Sequence, residues 1–150
     1  MQKLERPEAE ANDVEVLEAL ARDWVEIGWR HSMAEPFNFR ERLGDFYDWS
    51  SPDTLFFDDF DPSRSVSNTA AQYAALWDAT VPQMISLTNR MIGSPSTIVS
   101  GNLAVMSVQF ITRFEADGTS GEAHTLSSLV WKRTEGRWRI TREHGSGLKK

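Results

Sequence analysis

The chain has no cysteine, which rules out disulfides, thiolate nucleophiles and cysteine-ligated zinc together. Histidine is scarce. The three residues, His31, His124 and His144, are dispersed and fall in no H-x-x-x-H or His-x-His spacing that would gather them round a metal. The acids of 58–61 make no ligand set either, because consecutive strand positions project to opposite faces. Neither a metal nor a cofactor is expected. Basic charge is also short, with 16 Lys and Arg against 22 Asp and Glu and a net charge of -6. Lys132-Arg133 and Lys149-Lys150 are too brief to attract nucleic acid or an anionic membrane, so neither is expected as a partner. No stretch approaches a membrane span, and Met1 to Asn12 are charged where a signal peptide would be apolar. A cytoplasmic protein is the expectation. No G-x-S-x-G motif, internal repeat or low-complexity tract is present.

What is present gathers in the last third. Ala104, Met106, Val108 and Phe110 alternate with outward positions, and Asp117-Gly118 then supplies a turn. A second strand ends at Trp131, and Glu135-Gly136 turns it into Trp138–His144. Glycine in the second place of a two-residue loop suits a type I′ hairpin, with Asp-Gly the stronger signal of the two. Centring the hairpins on these turns sets Phe110 against Thr125, Val108 against Ser127 and Met106 against Leu129. On the other side it sets Trp131 against Ile140, Leu129 against Arg142 and Ser127 against His144. One face then reads Ala104, Met106, Val108, Phe110, Leu129, Trp131, Trp138 and Ile140. It ends in a polar group: Thr125, Ser127, Arg142 and His144. Polar groups that face inward must be paired or lie in a cavity. The opposite face carries Gln109, Arg113, Lys132, Arg137, Arg139 and Glu143, interrupted by Val105, Ile111, Leu126 and Val130. Those apolar interruptions predict a homodimer through the outer sheet face.

Upstream, residues 1–12 read as a frayed terminus and 13–150 as one domain, long enough to bury a core. Asn12 with Glu15 suits a capping box, and Leu17, Leu20, Trp24 and Ile27 recur at helical spacing, predicting a helix over 13–30. A second helix carries Phe39, Leu43, Phe46 and Tyr47. Leu55–Phe57 and the acids that follow form a short strand. Ser67 or Asn68 can cap a third helix with Ala70, Tyr73, Leu76 and Trp77 inside. Ile85, Leu87 and Met91 alternate in a strand that Gly93-Ser94-Pro95 closes. Helices followed by a curved, mainly antiparallel sheet predict an α+β cone or half-barrel, with a pocket between the layers.

Particular residues carry a family resemblance over roughly 13–146. They are Phe57-Asp58 followed by Pro62, then Gly101-Asn102-Leu103-Ala104, and Ser128–Arg133 leading through Gly136 to Trp138-Arg139-Ile140 and Glu143-His144-Gly145-Ser146. This resembles the SnoaL-like branch of the nuclear-transport-factor-2 and ketosteroid-isomerase superfamily, whose fold hosts isomerases, cyclases, dehydratases and scaffolds. In ketosteroid isomerase a strand aspartate is the base, and a tyrosine with a protonated acid binds the developing oxyanion. The resemblance puts Asp58 or Asp59 on the matching strand. Position relative to the third helix favours Asp59, and the family's Phe-Asp pattern favours Asp58. The tyrosine–acid pair finds no clear counterpart, since Trp24 and the facing Thr125 and Ser127 stand where it would be sought.

Asp58 and Asp59 are therefore the candidate bases, with Arg142 and His144 to hold an enolate-like oxygen. The pocket walls would be Trp24, Tyr47, Phe57, Trp77, Phe110 and Ser127. Each feature also has an ordinary reading. Aspartates before proline often satisfy loop N–H groups, and aromatic stripes are usually core. His31 and His124 read as surface. The function expected is binding of a small hydrophobic molecule, either by a cofactor-free isomerase, cyclase or dehydratase or by a non-catalytic ligand-binding or dimerisation module.

Overall fold

The computed structural model describes residues 8–149, with side chains from residue 9. Helix α1 (Glu8–Asp23) widens into a π turn over Trp24–Gly28, followed by β1 (His31–Ser32), α2 (Phe39–Leu43) and β2 (Leu55–Asp58). Helix α3 (Ala70–Thr80) leads to four long strands, β3 (Ser86–Ser100), β4 (Leu103–Ala116), β5 (Thr119–Thr134) and β6 (Arg137–Leu148). One six-stranded sheet runs in the order β1-β3-β4-β5-β6-β2, antiparallel except for β2 beside β6. Three helices on one face of this curled sheet make an α+β half-barrel. No helix among the described residues is long and apolar enough to cross a membrane.

Several local expectations give way. The chain is already helical at residue 8, so Asn12 lies within α1 and caps nothing; residues 1–7 of the proposed frayed terminus lie outside the described residues. Ile27 is exposed, because the π turn rotates it off the apolar stripe. Thr69, rather than Ser67 or Asn68, caps α3 by accepting a bond from Gln72 N. Gly93-Ser94-Pro95 interrupts the β3–β4 register without ending β3, so the strand kinks as a bulge and continues. His31 is buried. Its Nδ1 accepts from Phe37 N at 2.9 Å, which leaves Nε2–H to meet Met84 O at 2.9 Å.

The core is one cluster between helices and sheet, with Trp24, Tyr47, Tyr73, Phe39, Phe56 and Trp131 fully buried. It includes the face Ala104, Met106, Val108, Phe110, Leu129, Trp131, Trp138 and Ile140. Phe110 faces Thr125, Val108 faces Ser127 and Met106 faces Leu129, and Trp131 faces Ile140, as the turns require.

Beyond Trp131 the β5–β6 register slips by one. Trp131 pairs with Ile140 but Val130 pairs with Arg142, leaving Thr141 as an extra, buried residue. Such a bulge reverses every side chain after it, because strand side chains alternate with period two. Leu129 and Ser127 therefore meet Glu143 and Gly145, in place of Arg142 and His144. Glu143, expected outside, turns under the helices.

The turns also divide differently from the expectation. In Glu135-Gly136 both residues have positive φ, 54° and 76°, the type I′ pattern, whereas at Asp117-Gly118 only Gly118 does. Glu135 carries the steric cost of a side chain in the left-handed region, which asparagine tolerates better. Glu135→Asn is expected to raise stability by up to about 1 kcal/mol, read as a higher urea midpoint at unchanged m-value.

Candidate active site

The site is built from one strand position and the helical segments that close over it. Glu143 on β6 is 2% exposed and meets two phenols, Tyr47 OH donating at 2.5 Å and Tyr73 OH at 2.6 Å. Tyr47 is held where the chain leaves α2 and crosses β6: it bridges Ile140, and Asp48 N donates to Ile140 O. Tyr73 comes from the inner face of α3. Trp24, at the end of α1, donates from Nε1 to Tyr47 OH at 3.0 Å.

Asp58 ends β2, one strand over from Glu143, and is also buried. The alternation of Leu55–Asp58 turns Phe56 and Asp58 inward, and Leu55 and Phe57 outward. Asp58 Oδ1 accepts from Phe60 N at 2.8 Å. Its carboxyl lies over Gly145, where any Cβ would collide with it, so glycine is needed for this close approach. Asp59 turns away and accepts from Gly147 N on β6 at 2.9 and 3.0 Å.

Between these groups lies a cavity of about 40 Å³, room for a few water-sized atoms. Trp24, Trp29, Phe60, Trp77, Val81, Leu87 and Phe110 give it apolar walls. Asp58, Glu143, Asn89, Thr112 and Thr125 are its polar lining, and Thr112 Oγ1 donates to Asn89 Oδ1. Among the described residues no lysine, arginine or histidine lines it.

Electrostatics follow from that lining. Burial raises the Asp58 pKa to about 6, against the Phe60 N–H bond that lowers it, and the charges of Asp59 and Asp61 add to the rise. Burial likewise pushes Glu143 up to about 8; the two phenol bonds pull it down, and Asp58 raises it further. Tyr47 and Tyr73 are pushed well above the ordinary phenol value by burial and by Glu143. Between about pH 6 and 8, Asp58 is mainly ionised and Glu143 mainly protonated.

Of the residues singled out from sequence, Asp58, Trp24, Trp77 and Phe110 line the cavity. Tyr47 stands behind it as a hydrogen-bond partner of Glu143. Ser127 is fully buried outside the lining, its hydroxyl without a partner among the described residues. Arg142 and His144 point the other way because of the bulge. Arg142 Nε donates to Asp53 O at 3.0 Å, and the His144 ring meets Phe57 edge-on at 5.3 Å on the outer face. His124 is partly exposed beside Glu122 at 3.5 Å. Glu143 and Tyr73 were missed as site residues. Only the bulge brings Glu143 inward, and Tyr73 reads from sequence as ordinary helix core. Together with Tyr47 they form a buried cluster of one acid and two tyrosines.

A profile of the SnoaL-like domain matches residues 41–149, most of the chain and all of this site except Trp24 and Trp29. The protein belongs to the SnoaL-like family. Solved structures agree on the fold. A nuclear transport factor 2-like superfamily protein from Salmonella enterica is 22% identical, with 93% of this chain and 94% of that one covered and a TM-score of 0.69. A candidate dehydratase of the NTF2-like family from Streptomyces avermitilis is 14% identical, with 93% and 99% covered and a TM-score of 0.70. The S. rosetta CaMKII hub is 16% identical, with 97% and 100% covered and a TM-score of 0.57. No curated protein matches the sequence.

The pKa values of this SnoaL-like domain carry a stability signature. A carboxyl whose folded pKa stands above its unfolded value contributes stability that is complete below the unfolded pKa. That contribution is lost as pH rises through the folded pKa. For Glu143 the window runs from 4.5 to about 8. Glu143→Gln is therefore expected to flatten the fall in Tm across that window, with the largest gain over the parent at its alkaline end. Melting curves at stepped pH measure it.

Proposed function

We propose that this domain is a cofactor-free acid–base enzyme acting on a small, largely apolar molecule with a carbonyl-like centre. The observation that carries the reading is two carboxyl groups in one aromatic-walled cavity, set to opposite protonation states near neutral pH. Pairs of titratable groups driven apart by their surroundings mark out acid and base roles. Asp58, ionised and held by one backbone N–H, is the base that takes a proton from carbon beside the carbonyl. Glu143, protonated and fixed by Tyr47 and Tyr73, presents a neutral acid to the developing enol oxygen. Trp24 sets the direction of Tyr47 through its indole N–H. Isomerisation, cyclisation and dehydration all begin with such a step. The small cavity favours compact substrates.

Proton transfer can be tested without knowing the natural substrate. Cyclopentanone in D₂O, followed by NMR, reports deuterium entering beside the carbonyl. The protein is expected to accelerate exchange, and Asp58→Asn to reduce the rate by about 100-fold or more. The pH profile should be bell-shaped, rising through about 6 as Asp58 ionises and falling through about 8 as Glu143 loses its proton. A flat profile, or an Asp58→Asn protein as fast as the parent, would leave the acids as structural ties.

Self-association is the second element of the proposal. Ile98, Leu103, Val105 and Leu126 lie exposed on the outer sheet face. Ile98 and Val105 line a groove there with Leu55, Val130, Arg142 and His144. Apolar positions in a row on a strand face favour a covering partner, and a homodimer through this face supplies one. The hub likeness supports self-association; a non-catalytic assembly module is the rival to the enzyme reading. Val105→Lys is expected to halve the mass seen by light scattering and leave the fold intact by circular dichroism. A mass that matches one chain in the parent protein would dismiss the dimer.

A further inference from the structure

The cavity is electrically one-sided. Asp58 and Glu143 line it, Asp59 and Asp61 add to the negative field at Asp58, and no cationic side chain among the described residues lines it. No ion pair reaches Asp58 or Glu143 among the described residues, and the bond from Phe60 N is the one hydrogen bond given to the Asp58 carboxyl. The opposing walls are ring systems. Trp24 meets Trp29 and Phe110 edge to face, and Trp29 meets Trp77 in the same way, at centroid separations from 5.2 to 6.3 Å. Ring faces are negative and attract cations, and tryptophan does so best.

An anion entering this space would meet the Asp58 carboxylate with no cation to offset the repulsion, and neither hydrogen-bonded phenol is a free donor, which leaves the Glu143 O–H alone to receive it. A neutral ligand would leave the Asp58 charge with the Phe60 N–H as its one partner. A cation would supply the one element the site lacks, in a lining that combines a carboxylate with three tryptophans. We propose that the ligand of this cavity is a small organic cation, an ammonium or iminium group on a compact apolar body, with its charge between Asp58 and the tryptophans. The inference rests on the preceding reading of the cavity as a ligand site, and it names the substrate class. Where the cation is an iminium, the C–H bond beside it is acidified as it is beside a carbonyl: Asp58 takes the proton and the electron pair passes through carbon to nitrogen, leaving an enamine.

Three probes of similar shape and different charge test it: tert-butylamine, tert-butanol and pivalate. Each is titrated at neutral pH against the parent protein, by tryptophan fluorescence and by NMR shifts of the indole N–H groups. The amine is expected to bind about tenfold more tightly than the alcohol or better, with no saturable binding of pivalate. Asp58→Asn should bring the amine to the level of the alcohol, with folding checked by its melting curve. The charge series on the unaltered protein decides the preference even where that variant is unstable. Equal or tighter binding of the alcohol or of pivalate would overturn the inference, as would an amine affinity unchanged in folded Asp58→Asn, or no binding of any probe. Tight amine binding without ketone exchange would sink the acid–base reading alone. Ketone exchange without a charge preference would sink the cation alone.

Discussion

A carboxyl group buried without a cation governs how this molecule is put together. Glu143 is cut off from solvent on the inner face of β6, where an isolated charge would be very costly. The protein answers in two ways. Burial pushes the pKa to about 8, so the group is mainly neutral at ordinary pH, and two phenols bond its two oxygens. Those phenols come from the end of α2 and from α3, and Trp24 at the end of α1 reaches the same cluster through Tyr47. Every helical segment is thus tied to one atom group on the sheet. Displacing any of them would strand a buried polar group, at about 1–3 kcal/mol each.

The bulge at Thr141 makes that arrangement possible. One extra residue in β6 exchanges the two faces beyond it, sending Arg142 and His144 out and bringing Glu143 and Gly145 in. Gly145 then admits the Asp58 carboxyl from the neighbouring strand, since no side chain occupies the space beside it. A single backbone irregularity therefore sets the sign of the cavity. With the uninterrupted register it would hold an arginine and a histidine. With the bulge it holds two acids. Bulges commonly re-aim side chains next to functional sites, and here the re-aiming puts Glu143 in the cavity lining.

The family, the α+β half-barrel, the paired strands and most of the core face were legible in the sequence because their signals are local. Period-two alternation and two-residue turns fix a register over many residues, and the β4–β5 pairing follows from Asp117-Gly118 alone. The inward position of Asp58 lay within reach for the same reason, as one of two alternating options. The bulge was not legible. Ile140-Thr141-Arg142 carries no glycine and no break in hydrophobicity to announce an extra residue, and the register propagated from Glu135-Gly136 runs past it unmarked. Its consequences are hidden with it: the uninterrupted register puts Glu143 on the outer face, and Tyr73 reads as plain core. His31 went astray for a different reason. Its burial depends on acceptors and donors brought from Phe37 and Met84, which no local pattern encodes.

The acids of this segment offer an internal comparison that bears on function. Asp61 plays the ordinary part expected of an aspartate near proline. It is 2% exposed, and its carboxyl accepts from Ser63 N, Ser63 Oγ and Ser65 N, so every contact serves the loop. Asp59 does likewise, clasping Gly147 N at the end of β6. Asp58 is buried almost as deeply as Asp61 yet receives one backbone bond, and it faces a cavity shared with a second acid. A loop tie could be made by asparagine without the cost of desolvating a charge. A carboxyl kept where burial raises its pKa, unsupported by the donors its neighbours enjoy, destabilises the fold above that pKa. On the proposed function, that cost is the one a base bears when it is held ready in a lined cavity.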